Sequence, residues 1–207
     1  MRHLSTANRC EACQLHLHLC ICQEIRPVPT QTRVVIVRHW KEARKPTGSA
    51  RIMALAMPNL QILDYGEKDA VFAADLIEFP DTWALLPNAE GASDVKLGPD
   101  NRPKTLVLLD GTWAQARRMA SRIPSVERLP RWALETPARR AIRLRRPHEP
   151  WARSTAEALA EAMGRLEGEH VGAALFALYD RWVSQSLQMR GLHPLASGTE
   201  QVEESEI

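Results

Sequence analysis

Apolar positions along the chain fall into two patterns: short continuous runs, and longer stretches in which they recur every three or four residues. Arg33-Val34-Val35-Ile36-Val37-Arg38 and Leu106-Val107-Leu108-Leu109 are continuous runs with polar residues at their ends, the pattern of strands buried on both faces. Leu60-Gln61-Ile62-Leu63-Asp64 predicts a second strand, Leu76-Ile77-Glu78-Phe79 a third that Pro80 ends, and Ala141-Ile142-Arg143-Leu144-Arg145 one whose arginines share a face. Between them lie helical patterns from about Ala50 to Met57, after Thr112, from Ser154 to about Leu166, and from about Val171 to Met189 through Leu175, Leu178, Trp182 and Leu187. Strands alternating with helices predict an α/β fold with a mainly parallel sheet flanked by helices. Residues 87–104, rich in proline, glycine and asparagine, read as a loop before the Leu106 strand.

The sharpest local signal is Leu109-Asp110-Gly111-Thr112-Trp113. An apolar strand stops at Asp-Gly and an alanine- and arginine-rich helix begins. Thr112 stands where an N-cap is needed, and Gln115, three residues on, can close a capping box. Asp110 therefore sits at a strand's carboxyl end beside a helix N-terminus, the place in open α/β sheets where ligands bind and anionic groups are favoured. Ser154-Thr155-Ala156-Glu157 carries a second capping box. Asp81-Thr82-Trp83 repeats three letters of the first turn without its spacer, follows Phe79-Pro80, and is expected to be a loop.

Composition adds three constraints. With 207 residues and 44% hydrophobic content the chain can bury one core. The net charge of +2 conceals an uneven distribution: residues 110–153 hold eleven arginines against four acids, a surplus suited to phosphate contacts, while the tail from Glu200 is acidic and expected to be disordered. The start of the chain has no apolar signal region and no apolar run can cross a bilayer, so a cytoplasmic location with no membrane contact is expected. Gly-x-Gly-x-x-Gly follows none of the strands and no Walker-type loop occurs, so a dinucleotide enzyme and a Rossmann methyltransferase are unsupported.

Cys10-x-x-Cys13 and Cys20-x-Cys22 place all four cysteines within thirteen residues. In a reducing compartment such a cluster points to Zn²⁺ rather than disulfides, and four thiolates leave no open position for a reacting water, so the site is expected to be structural. His16 or His18 could replace one thiol. The segment is too short for a core of its own, so metal binding would supply its folding energy. Residues 1–26 are thus expected to form a zinc-binding segment, 30–190 the main domain after the stiff Arg26–Thr30 linker, and 191–207 a tail.

Four segments together resemble the DTW-domain family: the cysteine cluster, the Thr47-Gly48 loop after Glu42, Arg44 and Lys45, the Asp110-Gly111-Thr112-Trp113 turn, and the Ser154-Thr155-x-Glu157 helix start. Pro46 departs from the asparagine expected in the second segment. The resemblance implies a SPOUT-like fold with knotted C-terminal loops that hold S-adenosylmethionine. It also implies the activity of a tRNA-uridine aminocarboxypropyltransferase, moving the 3-amino-3-carboxypropyl group of S-adenosylmethionine onto uridine N3 (acp3U formation). On that reading Pro80, Leu108, Gly111, Arg143, Ser154, Thr155 and Glu157 bind the cofactor. Arg44, Lys45, Arg117, Arg118, Arg143 and Arg145 meet tRNA.

The chemistry needs a base, since uridine N3 must lose its proton as it attacks, and Asp110 is the one acid in the turn. Thr112 and the helix N-terminus can hold a carboxylate or orient the base, and Trp113 can stack on an aromatic ring. Binding geometry alone decides between aminocarboxypropyl and methyl transfer. A SPOUT-type RNA methyltransferase and a non-catalytic zinc-finger RNA-binding protein therefore remain alternatives.

Overall fold

The computed structural model describes residues 8–86, 95–98, 100–134, 143–144 and 152–192. Five parallel strands make one sheet in the order β2-β1-β4-β3-β5. They are β1 (Arg33–His39), β2 (Leu60–Tyr65), β3 (Thr82–Leu85), β4 (Thr105–Asp110) and β5 (Arg131–Trp132). The helices are α1 (Trp40–Ala43), α2 (Ala50–Ala56), α3 (Trp113–Arg122), α4 (Pro124–Glu127), α5 (Thr155–Glu167) and α6 (Glu169–Gln188).

The continuous apolar runs divide by parity between two cores. Val34, Ile36, Leu106 and Leu108 join Ile52, Met53, Leu159, Met163, Leu175 and Trp182 from α2, α5 and α6 on one face. Val35, Val37 and Val107 pack on the other against Met119, Ile123, Val126 and Ile77. Strands buried on both faces need no alternation, so β1 and β4 were legible as unbroken runs. Helices α5 and α6 turn about Gly168 at φ +112° and cross closely: a Cβ on Gly172 would lie 2.8 Å from the Gly164 Cα.

Three expectations need correction. Leu76–Phe79 is not a strand: a 3₁₀ turn covers Ala74–Leu76, Pro80 cannot donate to a ladder, and Ile77 is buried as a plug on the α3/α4 face. The third strand is Thr82–Leu85, all four residues buried, so Asp81-Thr82-Trp83 is no loop but the entry into β3. Asp81 turns the chain at φ +58°, and its carbonyl accepts from Lys104 N at 2.8 Å to set β3 beside β4. Of the expected strand 141–145, Arg143 and Leu144 lie in no strand and the rest falls outside the described residues. Its place at the sheet edge is taken by β5, whose two residues are too few to show a period. Most of the 87–104 loop that is described, and 191–192 of the tail, are irregular; 193–207 falls outside the described residues.

The cysteine segment is docked on the main domain. Cys13, Leu15 and Ile21 belong to the α2/α5/α6 core. Trp182 Nε1 donates to the Cys13 carbonyl at 3.0 Å, and Arg181 forms a bidentate pair with Glu24 at 2.9 and 3.0 Å. Among the described residues no helix is long and apolar enough to cross a membrane.

Candidate active site and metal centre

At the carboxyl ends of the strands lies a cavity of about 490 Å³, in the usual range for small-molecule sites. Asp110, the last residue of β4, is on its wall. Thr112 caps α3 as expected: its Oγ1 accepts from Gln115 N at 3.3 Å, and Gln115 Oε1 accepts from Thr112 N at 2.7 Å. Gly111 allows this closure, because a Cβ there would lie 3.0 Å from Gln115 Cβ. The second capping box is also formed, with Ser154 Oγ accepting from Glu157 N at 3.2 Å and Glu157 Oε2 from Ser154 N at 2.8 Å. Both helix N-termini border the same cavity.

The two termini meet at Asp110. Thr155 Oγ1, at the first position of α5, donates to Asp110 Oδ1 at 2.6 Å. Asp110 Oδ2 is buried and has no hydrogen-bond partner among the described residues. Burial pushes the Asp110 carboxyl above its ordinary range; the Thr155 bond opposes that, Glu42 adds to it, and Arg38 and Lys45 oppose it. A buried carboxyl with a raised pKa at the edge of a cavity is a candidate for taking up a proton in a reaction.

Leu108, Gly111, Thr112, Trp113, Arg143, Ser154, Thr155 and Glu157 all line the cavity. Pro80 does not. It precedes β3 and lies at the amino ends of the strands with Arg33, Phe79, Lys104 and Thr105. Arg143 is turned to the wall, its Nε 3.2 Å from Glu157 Oε1 and its Nη1 donating to the Ala152 carbonyl at 3.0 Å. Arg145 falls outside the described residues. Arg117 and Arg118 are exposed on α3, and Arg44 stacks over Trp40 at 4.9 Å while pairing with Glu67 at 3.2 Å. Lys45 is held by Glu42. Burial first, then Lys41, Lys45 and Arg118, outweigh Glu42 in lowering the His39 pKa, which marks a cationic rim near the site.

Glu42 is the site residue that sequence reasoning left without a role. It is buried on α1, lines the cavity and pairs with Lys45. Its helix has four residues, too few for periodicity to reveal which side chain turns inward. Ser49, from the loop that follows, accepts from Ala156 N at 3.3 Å and ties that loop to the start of α5.

The four cysteine sulfurs lie within 4.8 Å of one another. Cys10 Sγ and Cys22 Sγ are 3.6 Å apart and Cys13 Sγ and Cys20 Sγ 3.7 Å, against about 3.8 Å for a tetrahedron with Zn–S bonds of about 2.3 Å. The donor set therefore fits a tetrahedral Zn²⁺. Neither His16 nor His18 belongs to the cluster. Backbone N–H groups of Cys13 and Ala12 bring the Cys10 thiol down to about 7, while burial pushes Cys13 and Cys22 up.

The profile of the DTW domain matches residues 7–187. The chain belongs to the DTW-domain family. This DTW domain is 25% identical over 130 residues to a Drosophila melanogaster protein named tRNA-uridine aminocarboxypropyltransferase 2, covering 59% of this chain and 52% of the relative. It is 25% identical over 126 residues to a Mus musculus protein of the same name, covering 56% and 42%. The chain thus aligns with about half the length of the curated relatives it matches. No solved structure matches it.

Proposed function

We propose that this DTW domain is a tRNA-uridine aminocarboxypropyltransferase that uses S-adenosylmethionine to form acp3U. The observation that carries the reading is Asp110: a buried carboxyl with one oxygen unpartnered among the described residues, at the carboxyl end of the sheet, beside two capped helix N-termini. The relatives' names point the same way. The parallel sheet with β4 between β1 and β3 supports a SPOUT-like assignment; the expected knot is not addressed by the described residues, which leave out 135–142, 145–151 and 193–207.

When bound, S-adenosylmethionine supplies a sulfonium-activated carbon, whose bond to sulfur breaks as the bond to uridine N3 forms, with methylthioadenosine released. Asp110 accepts the N3 proton, and its raised affinity for that proton matches it to the task. The N-termini of α3 and α5 favour a carboxylate between them. Trp113, on the cavity wall, offers a face for a base or the adenine. The Arg143–Glu157 pair shapes the wall beside Ser154 and Thr155. Arg117 and Arg118, with the His39–Lys45 rim, meet tRNA phosphates. Cys10, Cys13, Cys20 and Cys22 hold one structural Zn²⁺, and reduced thiolates of this kind suit a cytoplasmic setting.

Purified protein given bulk tRNA and S-adenosylmethionine labelled in the aminocarboxypropyl group should transfer label to tRNA. Label arriving only from the methyl group would make it a methyltransferase, and tRNA binding with neither label would make it a binding protein. Elemental analysis should find about one zinc per chain.

A further inference from the structure

We propose that Thr155 is a positioning residue for the Asp110 base: its hydroxyl holds Oδ1, fixes the carboxyl at the cavity edge and favours the charged form that takes the proton. The inference deepens the function proposed above and rests on it for the identity of the proton donor.

Thr155 is the first residue of α5, on the far side of the cavity in sequence from β4, yet its Oγ1 donates to Asp110 Oδ1 at 2.6 Å. A hydroxyl at that distance from a carboxylate is a strong, charge-assisted bond. The neighbouring Ser154 carries the cap of α5, so the Thr155 hydroxyl is not needed for the helix. Asp110 is 8% exposed, and its Oδ2 accepts no bond among the described residues. An unpaired oxygen is costly in a buried site, and the Thr155 bond is the one hydrogen bond that Asp110's side chain accepts among the described residues. Each carboxylate oxygen carries two lone pairs, so the Thr155 bond orients the Asp110 carboxyl without exhausting its capacity to accept. The proton passes from the donor nitrogen to the Asp110 carboxylate, the nitrogen keeps the electron pair, and Thr155 keeps its own proton.

The charged and titratable groups around Asp110 come from every side. Arg38 lies opposite it on β1, Glu42 and Lys45 come from α1 and its following turn, and Arg143, Arg153, Glu157 and Tyr179 border the same cavity. Of the neighbours that act on the Asp110 carboxyl, Thr155 is the one that does so through a hydrogen bond rather than through charge. It opposes burial by stabilising the charged form, so its removal should raise the Asp110 pKa still further.

The test compares Thr155→Val, which keeps shape and loses the donor, with Thr155→Ser, which keeps the donor. Carbon-13 NMR of labelled aspartate follows the Asp110 titration directly in the full chain, with Asp110→Asn assigning the signal. Thr155→Val should move the Asp110 midpoint up by about one unit and, at pH values below both midpoints, lower transfer roughly tenfold, with affinity for S-adenosylmethionine near wild type. Thr155→Ser should restore both. An unmoved midpoint in Thr155→Val would overturn the proposal, as would weakened binding of S-adenosylmethionine alone, which would make Thr155 a cofactor ligand. Equal shifts in the Val and Ser variants would also overturn it, because packing would then be the cause. A wild-type protein inert toward tRNA whose Asp110 midpoint still moves in Thr155→Val alone would remove the transferase reading and leave the positioning role standing.

Discussion

Asp81-Thr82-Trp83 and Asp110-Gly111-Thr112-Trp113 share three letters and occupy opposite ends of the same sheet. The first enters β3 at its amino end, where Asp81 is half exposed and pairs with Lys104 at 2.9 Å. Thr82 donates to the Phe79 carbonyl at 2.7 Å and Trp83 is buried in the α2/α5/α6 core. The second leaves β4 at its carboxyl end, with Asp110 buried, Thr112 capping a helix and Trp113 on the cavity. The same side chains enter a strand in one setting and border the cavity in the other. What separates them is whether the segment leads into a strand or out of one, and the single spacer residue that lets a helix begin.

The largest contrast is expected on replacing the two aspartates. Asp110→Asn keeps size and most hydrogen bonding but removes the proposed base, so single-turnover transfer should fall by on the order of 10²–10⁴-fold. Asp81→Asn should leave transfer near wild type, because an exposed pair contributes about 0–1 kcal/mol and asparagine tolerates a positive φ as aspartate does. Equal losses in the two would assign the wrong segment to the chemistry.

The same pair should part in pH dependence. The folded-state pKa of Asp110 is raised, so transfer should increase with pH through a midpoint above the carboxyl's ordinary 3.8. Stability runs the other way: from 3.8 upward the unfolded chain releases this proton more readily, and the fold loses stability as pH rises to the raised value. Asp110→Asn should therefore unfold at a temperature equal to or above wild type at pH 8, measured by calorimetry, with the advantage vanishing toward acid. A lower melting temperature at pH 8 would make Asp110 a structural residue.

The tryptophans should divide stability from binding. Trp83→Ala empties a buried position and should cost about 3–5 kcal/mol in denaturant unfolding. Trp113→Ala, partly exposed at the cavity, should cost far less stability and instead weaken binding of S-adenosylmethionine or tRNA in titration. Loss of stability alone at Trp113 would make it a packing residue.

Both capping boxes, the two long strands and the cysteine quartet were legible because each is specified by residues close in sequence: Thr112 with Gln115, Ser154 with Glu157, the Val34–Val37 run, four thiols in thirteen positions. What could not be read depends on partners far along the chain. Thr155 meets Asp110 across forty-five residues, Trp182 meets the Cys13 carbonyl across one hundred and sixty-nine, and Glu42 faces inward only because β1 sets α1 over the cavity. Ile77 misled for the same reason: it is as apolar as a strand residue, but a buried plug beyond a 3₁₀ turn carries the same letter. Thr82–Leu85 is short, and its pairing with β4 is what makes it a strand.

The smallest effect tests the spacer itself. Alanine at Gly111 would place its Cβ 3.0 Å from Gln115 Cβ and 3.2 Å from Gln115 Oε1, so Gln115 must move, and the bond it makes to Thr112 N is the one it would lose. Alanine also restricts the unfolded chain, which favours folding by about 0.4–1 kcal/mol. Losing half a capping box costs about the same or more, and the crowding adds to it. Gly111→Ala should thus lower stability by about 1 kcal/mol or less, a shift of about 2–4 °C for a chain of this size, with a modest loss of transfer as Thr112 moves relative to Asp110. A rise in melting temperature at full activity would mean that Gln115 yields freely, and the glycine would then be a turn residue with no part in separating the two Asp-Thr-Trp segments.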